Sequence, residues 1–436
     1  MGNPVVTQPF PITDSLILLN KAPSITDPAV NSLNPITPGR AVVSQLGGTR
    51  VVLSRQSGFE LNVITFNCQA IPGILNWQTC DLHISICRLP SHTANMAVLL
   101  AKDQPAGFTN RIEKVAIVGA GGQIGSVIAS ALLQTGKYAV TAITRPDSTN
   151  KIDLEGLNIV RADHSGDDDS ALVSALRGTQ ALIITMAVTA PRDTTAKLIA
   201  AAAKANVKYI FPNWFGHDPA NDSLCNDSFL TQMRDSVRAE IARHGVSSHI
   251  FLACNFWYEF SLGGGADRFG FDFQNKSLTL FDDGDVPINT STWPQCGRAV
   301  ASLLSLKVLP DDENDKSTTL SHFGDKTVYI SSFRLTQKDM FEAVKRVTGT
   351  TDADWTITRE SAEQRWKEGM AEVQKGNFAA FTKMLYSRMF FAAGGGDYES
   401  KRGTDNVVLG LPVEDLDEAT KIAVRMGKNG EITRTH

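Results

Sequence analysis

One short stretch, Gly119-Ala120-Gly121-Gly122-Gln123-Ile124-Gly125, has the composition and spacing to hold a pyrophosphate. Its glycines permit a tight turn and close backbone approach, and Gly125 lets the following helix lie against the strand before it. The helix that follows this turn presents the free N–H groups of its start to an anion. A second feature stands at Thr144-Arg145-Pro146. An acidic residue there would bond the ribose 2′-OH of NADH, whereas the planar fork of Arg145 suits a 2′-phosphate. The residues therefore favour NADPH, and Asp147 leaves some use of NADH open. Groups able to give or take a proton near strand ends are Tyr258, His217 and His164. Aromatic residues gather on two segments: Trp214 and Phe215, then Phe256, Trp257, Phe260, Phe269, Phe271 and Phe273. Such rings could receive a flat ligand by offset stacking or could be ordinary core.

The elements around these residues alternate. Lys114 to Val118 is a short β-branched run fit for a buried parallel strand, and Ser126 to Thr135 reads as a helix ended by Gly136. Tyr138 to Thr144, Leu157 to Ala162, Ala181 to Thr185 and Lys208 to Pro212 read as further strands. Between them lie helices at Asp167 to Leu176 and Thr194 to Asn206. Repeated strand–helix units imply an α/β fold, a Rossmann-type doubly wound parallel sheet. Ligands of such sheets bind beyond the carboxyl ends of the strands, which places Asp163, Met186 and Ala187 at the cofactor edge. Residues 261–436 read as a smaller, mostly helical, substrate-binding portion with segments returning to the sheet. Its elements are a strand at Lys326 to Ser331 and helices at Thr336 to Val347, Ser361 to Phe391 and Val413 to Met426.

The totals exclude several classes. A net charge of −4 with 20% charged residues carries no basic excess for nucleic acid. No apolar run approaches the roughly 20 residues of a membrane span, and no secretory leader is visible. Six scattered cysteines form no CxxC pair and no zinc spacing, so no metal is expected. Cys225, Cys254 and Cys296 read as reduced thiols of a cytoplasmic protein. The first 95 residues differ from the rest: they hold nine of the eighteen prolines and only nine charged residues. Strand-like runs at Arg50 to Ser54 and Leu61 to Phe66 have no evident partner. Two readings stay open, a disordered extension or a native start at Met96, the second slightly favoured. The domain expectation is thus 1–95 as extension, 111–260 as NAD(P)-binding domain, and 261–436 as the substrate portion.

From Arg111 to the end, the chain resembles the NmrA-like group of atypical short-chain dehydrogenases, which includes isoflavone and phenylcoumaran benzylic ether reductases. The likeness rests on the glycine turn, Arg145, ALIITMAV, KYIFPNWFG, NFWYEFSL and Gly297-Arg298-Ala299-Val300. It is most similar to fungal CipA-like oxidoreductases of secondary metabolism. Gly119, Gly122 and Gly125 fit the family's GxxGxxG turn. Asn213 falls in the family's segment after the fifth strand, at the cofactor. The resemblance implies an NADPH-dependent reductase of small molecules. One departure stands out. The position of the plant enzymes' catalytic lysine falls on Arg234, whose guanidinium is a poor proton donor. Arg234 would then hold an oxygen or act as the cation that lowers the Tyr258 pKa, with Tyr258 or His217 as proton donor.

The leading expectation is a reductase of an aromatic or polyketide-type metabolite, with Trp214, Phe215, Phe256 and Trp257 lining its pocket. Two alternatives stay open: a dinucleotide-sensing regulator without turnover, which the missing lysine favours, and an isomerase or cyclase that retains its cofactor. No nucleic acid or membrane partner is expected, and monomer and homodimer are both open.

Overall fold

A computed structural model describes the strands at 43–46, 49–55 and 61–67, and residues 99–432 except 165, 167, 188, 189 and 192. The chain divides into two units, Met1–Val98 and Leu99–His436. In the first unit, Val43–Leu46, Thr49–Arg55 and Leu61–Asn67 form an antiparallel sheet, with Arg55 opposite Leu61 and Thr49 opposite Asn67. The two runs expected to lack partners therefore pair with each other. Neighbours in sequence satisfy their backbone groups, and no distant partner is needed. Met96, Cys68, Cys80 and Cys87 lie outside the described residues, as do Asp167 and Val188.

The second unit is built on a parallel sheet. Its strands are β1 (Lys114–Val118), β2 (Ala139–Thr144), β3 (Asn158–Arg161), β4 (Ala181–Ile184), β5 (Tyr209–Phe211) and β6 (Ser248–Ala253). The edge strand Lys326–Tyr329 arrives from much later in the chain, and the order is β3-β2-β1-β4-β5-β6 followed by that strand. The order reverses between β1 and β4, and that switch point is where such sheets bind ligands.

Strand alternation divides the apolar residues between two faces. Val115 and Ile117 pack into one cluster with helices α1 (Gln123–Gln134) and, later in the chain, Trp293–Leu304. Ala116 and Val118 pack into the other, beneath α2 (Ser170–Leu176), α3 (Thr194–Lys204) and Thr231–His244. These chains are buried on both sides, which is why β1 and β4 read as unbroken apolar runs. Gly297 sets the spacing of the first layer: a Cβ there would lie 2.8 Å from the Val127 carbonyl oxygen and 3.1 Å from Ala131.

The C-terminal portion has its own core. Phe269, Phe271, Phe281, Tyr258, Met389 and Phe390 are buried together there. Two small three-stranded sheets support it, one made by Phe256–Trp257, Ile288–Ser291 and Phe333–Leu335. Its longest helical run is interrupted. The stretch expected as one element over 361–391 is two helices, Ala362–Gln374 and Phe381–Met389, parted at Gly376, whose φ is +90°. They pack closely at Gly369, where a Cβ would come within 2.8 Å of the Met384 amide. Among the described residues no helix is long and apolar enough to cross a membrane. Cys225, Cys254 and Cys296 are free and buried.

Candidate active site

The glycine turn lies between β1 and α1. Gly119 has φ +89° and sits against the Thr185 carbonyl. The turn closes with the Gly122 amide donating to the Gly119 carbonyl at 2.9 Å. The Thr185 hydroxyl donates to the Val118 carbonyl at 2.9 Å, which fixes the strand end beside it. Gly122 caps α1 in an extended conformation and offers no side chain to the helix. The amides of Gln123, Ile124 and Gly125, in the first turn, therefore have no acceptor from the helix itself. Gly121 faces the loop after β2, with Ile152 and Asn150 within 3.3 and 3.5 Å of where its Cβ would be.

Arg145 follows β2 directly. Its Nε stands 3.6 Å from Asp147, and both side chains are largely exposed. The Arg161 guanidinium braces this corner by donating to the carbonyls of Pro146 (2.9 Å), Arg145 and Ser148 (both 3.3 Å). Asp163 and His164, beyond β3, lie at the same corner. Burial lowers the His164 pKa, and the charge of Arg145 lowers it further against a raising backbone bond. Next along the edge, the Asn213 amide donates to the Met186 carbonyl at 2.9 Å and so joins the ends of β4 and β5. Ala187 beside it is exposed.

The residues expected to carry protons are placed otherwise. His217 is 5% exposed, and its Nε2 lies 3.0 Å from the Ser228 hydroxyl, which itself donates to the Leu224 carbonyl at 2.7 Å. Burial lowers the imidazole pKa from 6.5 to about 4. His217 is thus a neutral core histidine rather than an acid. The folded state resists its protonation, so its contribution is present above pH 6.5 and lost as pH falls toward 4. Replacing His217 with Gln should flatten the acid side of a stability–pH curve between those values, by up to about 3 kcal/mol. Urea unfolding at pH 7 and pH 4.5 measures it; equal acid sensitivity of both proteins would remove His217 from that account.

Tyr258 is fully buried and its hydroxyl bonds Thr420 Oγ1 at 2.8 Å. Burial raises its pKa strongly, and the cation nearest in effect is Arg346 rather than Arg234. Its ring packs edge-on against Phe333 in the C-terminal core. Arg234 is 6% exposed and spends its donors locally: 2.7 Å to Asp222, 2.7 Å to Asp235 and 2.8 Å to the Pro219 carbonyl. The structure places Arg234, Tyr258 and His217, expected from the sequence as a working set, on different hydrogen-bond partners. Arg234 bonds Asp222 and Asp235, Tyr258 bonds Thr420 and His217 bonds Ser228, while the charge of Arg234 is felt weakly at His217.

The aromatic residues also divide. Trp214 is core: it is 4% exposed, donates its indole N–H to the His217 carbonyl at 2.8 Å and packs on Phe251. Phe215 pairs with Leu252 in the strand extension beside β6. Phe256 stacks flat on Tyr386 with centroids 3.7 Å apart. Trp257 remains partly exposed, beside Phe260 and Trp293. Sequence reasoning missed Glu259, a buried carboxyl in an aromatic run, and Asp218. Asp218 is 4% exposed and ties three elements together: it accepts from Arg402 at 2.7 Å, the Tyr329 hydroxyl at 2.8 Å and the Ala220 amide at 2.8 Å. The signal for Glu259 was its charge amid Trp257, Tyr258 and Phe260; Asp218 left none.

A scan against family models matches residues 111–262 to the NmrA-like family. A curated relative, "Oxidoreductase aprR" of Aspergillus flavus, is 26% identical over 310 residues, covering 70% of this chain and 96% of its own length. Among solved structures, an isoflavone reductase superposes with a TM-score of 0.54 at 20% identity, covering 71% of this chain and 98% of that one. The Escherichia coli quinone oxidoreductase QOR2, solved with NADPH, gives 0.51 at 18%, with 70% and 98% covered. These structural likenesses concern the fold, a parallel sheet with flanking helices common to NAD(P)-dependent reductases. It is the Rossmann-type sheet with a smaller, mostly helical C-terminal portion that the sequence implied.

Proposed function

We propose that this NmrA-like protein is an NADPH-dependent reductase of a small aromatic or polyketide-type molecule. The observation that carries the reading is the turn at Gly119 to Gly125, with its uncapped helix start and with Arg145 at the end of the neighbouring strand. The residues fit a dinucleotide. The first-turn amides of α1 would hold the pyrophosphate, Arg145 the 2′-phosphate, Asp163 the adenosine side, and Met186, Ala187 and Asn213 the nicotinamide side. When bound, the cofactor supplies the hydride; the protein supplies orientation and the exclusion of water. The oxidoreductase name of the fungal relative supports the same reading.

Arg145→Ala should weaken NADPH binding by about 1–3 kcal/mol and leave NADH nearly unaffected, the scale of one charged hydrogen bond. Fluorescence titration with both cofactors tests it, and equal losses for the two would remove Arg145 as the selector. Steady-state NADPH oxidation with a panel of phenolic enones tests the reaction itself. One observation favours a second reading. Arg234, His217 and Tyr258 are buried and bonded to Asp222, Ser228 and Thr420, an arrangement that a dinucleotide-sensing protein without turnover would tolerate. Tight NADPH binding with no oxidation across the panel would select that reading.

A further inference from the structure

The edge of the sheet opposite the glycine turn holds a cleft of about 460 Å³ whose wall includes Arg238, Ala242, Gly245, Ser248, His249 and Asp325. Ser248 opens β6, and Asp325 immediately precedes the edge strand Lys326–Tyr329, which runs parallel to β6. Both positions are amino ends of strands, whereas the glycine turn follows the carboxyl end of β1. In a parallel sheet those two edges lie a strand length apart, roughly 17 Å for strands of this size. The cleft is therefore separate from the proposed cofactor site.

The cleft holds one cation and one anion that are not paired with each other. Among the described residues Arg238 forms no ion pair and no side-chain hydrogen bond; its guanidinium lies 5.2 Å from the Phe251 ring. Asp325 accepts the His249 backbone N–H and the Ser248 hydroxyl, each at 3.1 Å, and its Oδ1 stands 3.1 Å from His249 Nδ1. A carboxylate offers about four lone-pair sites, so Oδ2 keeps one open, and the side chain is 62% exposed. His249 is 7% exposed. Burial lowers its pKa, against Asp325 and with Arg238, and the ring is neutral. An ionised carboxylate can only accept, so Nδ1 carries the proton and Nε2 is left as an acceptor. That Nε2 is buried and meets no donor, a cost that an incoming donor would remove. Ala242 belongs to the last turn of the helix Thr231–His244, the negative end of its dipole, which also favours a positive group.

We propose that this cleft is a second ligand site, one that takes a free amino acid as its zwitterion. The ammonium group donates to His249 Nε2 and Asp325, and the carboxylate accepts from Arg238. A simple anion would meet the charge of Asp325, and a simple amine that of Arg238; a dipolar molecule turns each end to the opposite charge. The volume lies within the range of small-molecule pockets, roughly 300–1,000 Å³. The site stands whether or not the protein is a reductase.

The test is a thermal-shift screen of the full chain against the common L-amino acids, followed by calorimetric titration of those that raise the midpoint. At least one should raise it and bind saturably. Arg238→Gln and Asp325→Asn should each weaken that binding about tenfold or more, the scale of one charged hydrogen bond. Asparagine tolerates the φ of +53 to +60° that Asp325 shares with the other left-handed positions, and it keeps an acceptor for the His249 amide. Circular dichroism checks both folds. The deaminated acid and the decarboxylated amine of the same ligand, tested on the parent protein, should not bind measurably, and they keep the proposal open to refutation if a variant fails to fold. NADPH titrations should give parent-like affinity in both variants and no displacement by the amino acid. No saturable binding by any amino acid, equal binding by the acid or the amine alone, unchanged affinity in both variants, or displacement of NADPH would overturn the site.

Discussion

Gly125→Ala should abolish measurable NADPH binding, a loss of at least about a hundredfold, and lower the thermal midpoint. The position is helical, so no backbone strain is involved; the obstacle is space. An added Cβ would overlap the Gly119 carbonyl oxygen and stand 2.6 Å from Thr185 Oγ1. Neither neighbour can give way easily. The Gly119 carbonyl accepts the Gly122 amide that closes the turn, and the Thr185 hydroxyl is held by the Val118 carbonyl. The helix must therefore move off the strand, and its first-turn amides leave the positions proposed above to hold the pyrophosphate. Overpacking of this kind costs about 1–3 kcal/mol in stability, and more in binding because several donors shift at once. Differential scanning fluorimetry with and without NADPH measures both. A variant that binds NADPH as the parent does would show that the turn is architecture alone.

Asp218→Ala should cost about 3–5 kcal/mol of stability, the scale of breaking a buried charge pair. The carboxylate holds the loop after β5, the end of the edge strand at Tyr329, and Arg402 near the end of the chain. Arg402 retains contact with water, so the loss sits nearer the lower figure. Asp218→Asn should cost less, since it keeps an acceptor for the Tyr329 hydroxyl while discharging the pair. Urea denaturation of the three proteins at one pH ranks them; a loss under about 1 kcal/mol for the alanine variant would mean that the three elements are held independently.

The sheet was legible in the sequence because its strands are short β-branched runs bounded by turn residues. β1 was placed over the same residues, Lys114–Val118, that the structure assigns. Helix α1 was read to begin three residues late, at Ser126, because glycines conceal a helix start that needs no side-chain cap. The small strands at Ser277–Phe281, Ile288–Ser291 and Thr356–Glu360 escaped notice. They pair with segments far along the chain, and no local alternation demands such partners. Site residues that depend on backbone, such as the glycines, were visible as spacing. Those that depend on side-chain direction were not. Tyr258 and His217 lie in the expected segments, but packing turns the one onto Thr420 and the other onto Ser228. The same packing hides Trp214, whose type suggested a pocket wall and whose indole serves a neighbouring carbonyl.

The carboxyl edge of the sheet is finished by late residues. Gly396 offers its carbonyl to Asn255 at 3.0 Å, Asp405 accepts the Tyr329 amide at 2.8 Å, and Glu414 closes on Arg298. During synthesis the glycine turn and the strands up to β6 can collapse while the ribosome is still far from these positions. The edge stays open until residues 396–414 have cleared the exit tunnel. A nascent chain stalled before that point would display the apolar rims of β6 and of Trp293–Leu304 to solvent, a state suited to chaperone capture. Synonymous codons that slow translation just upstream of residue 396 would lengthen that exposure.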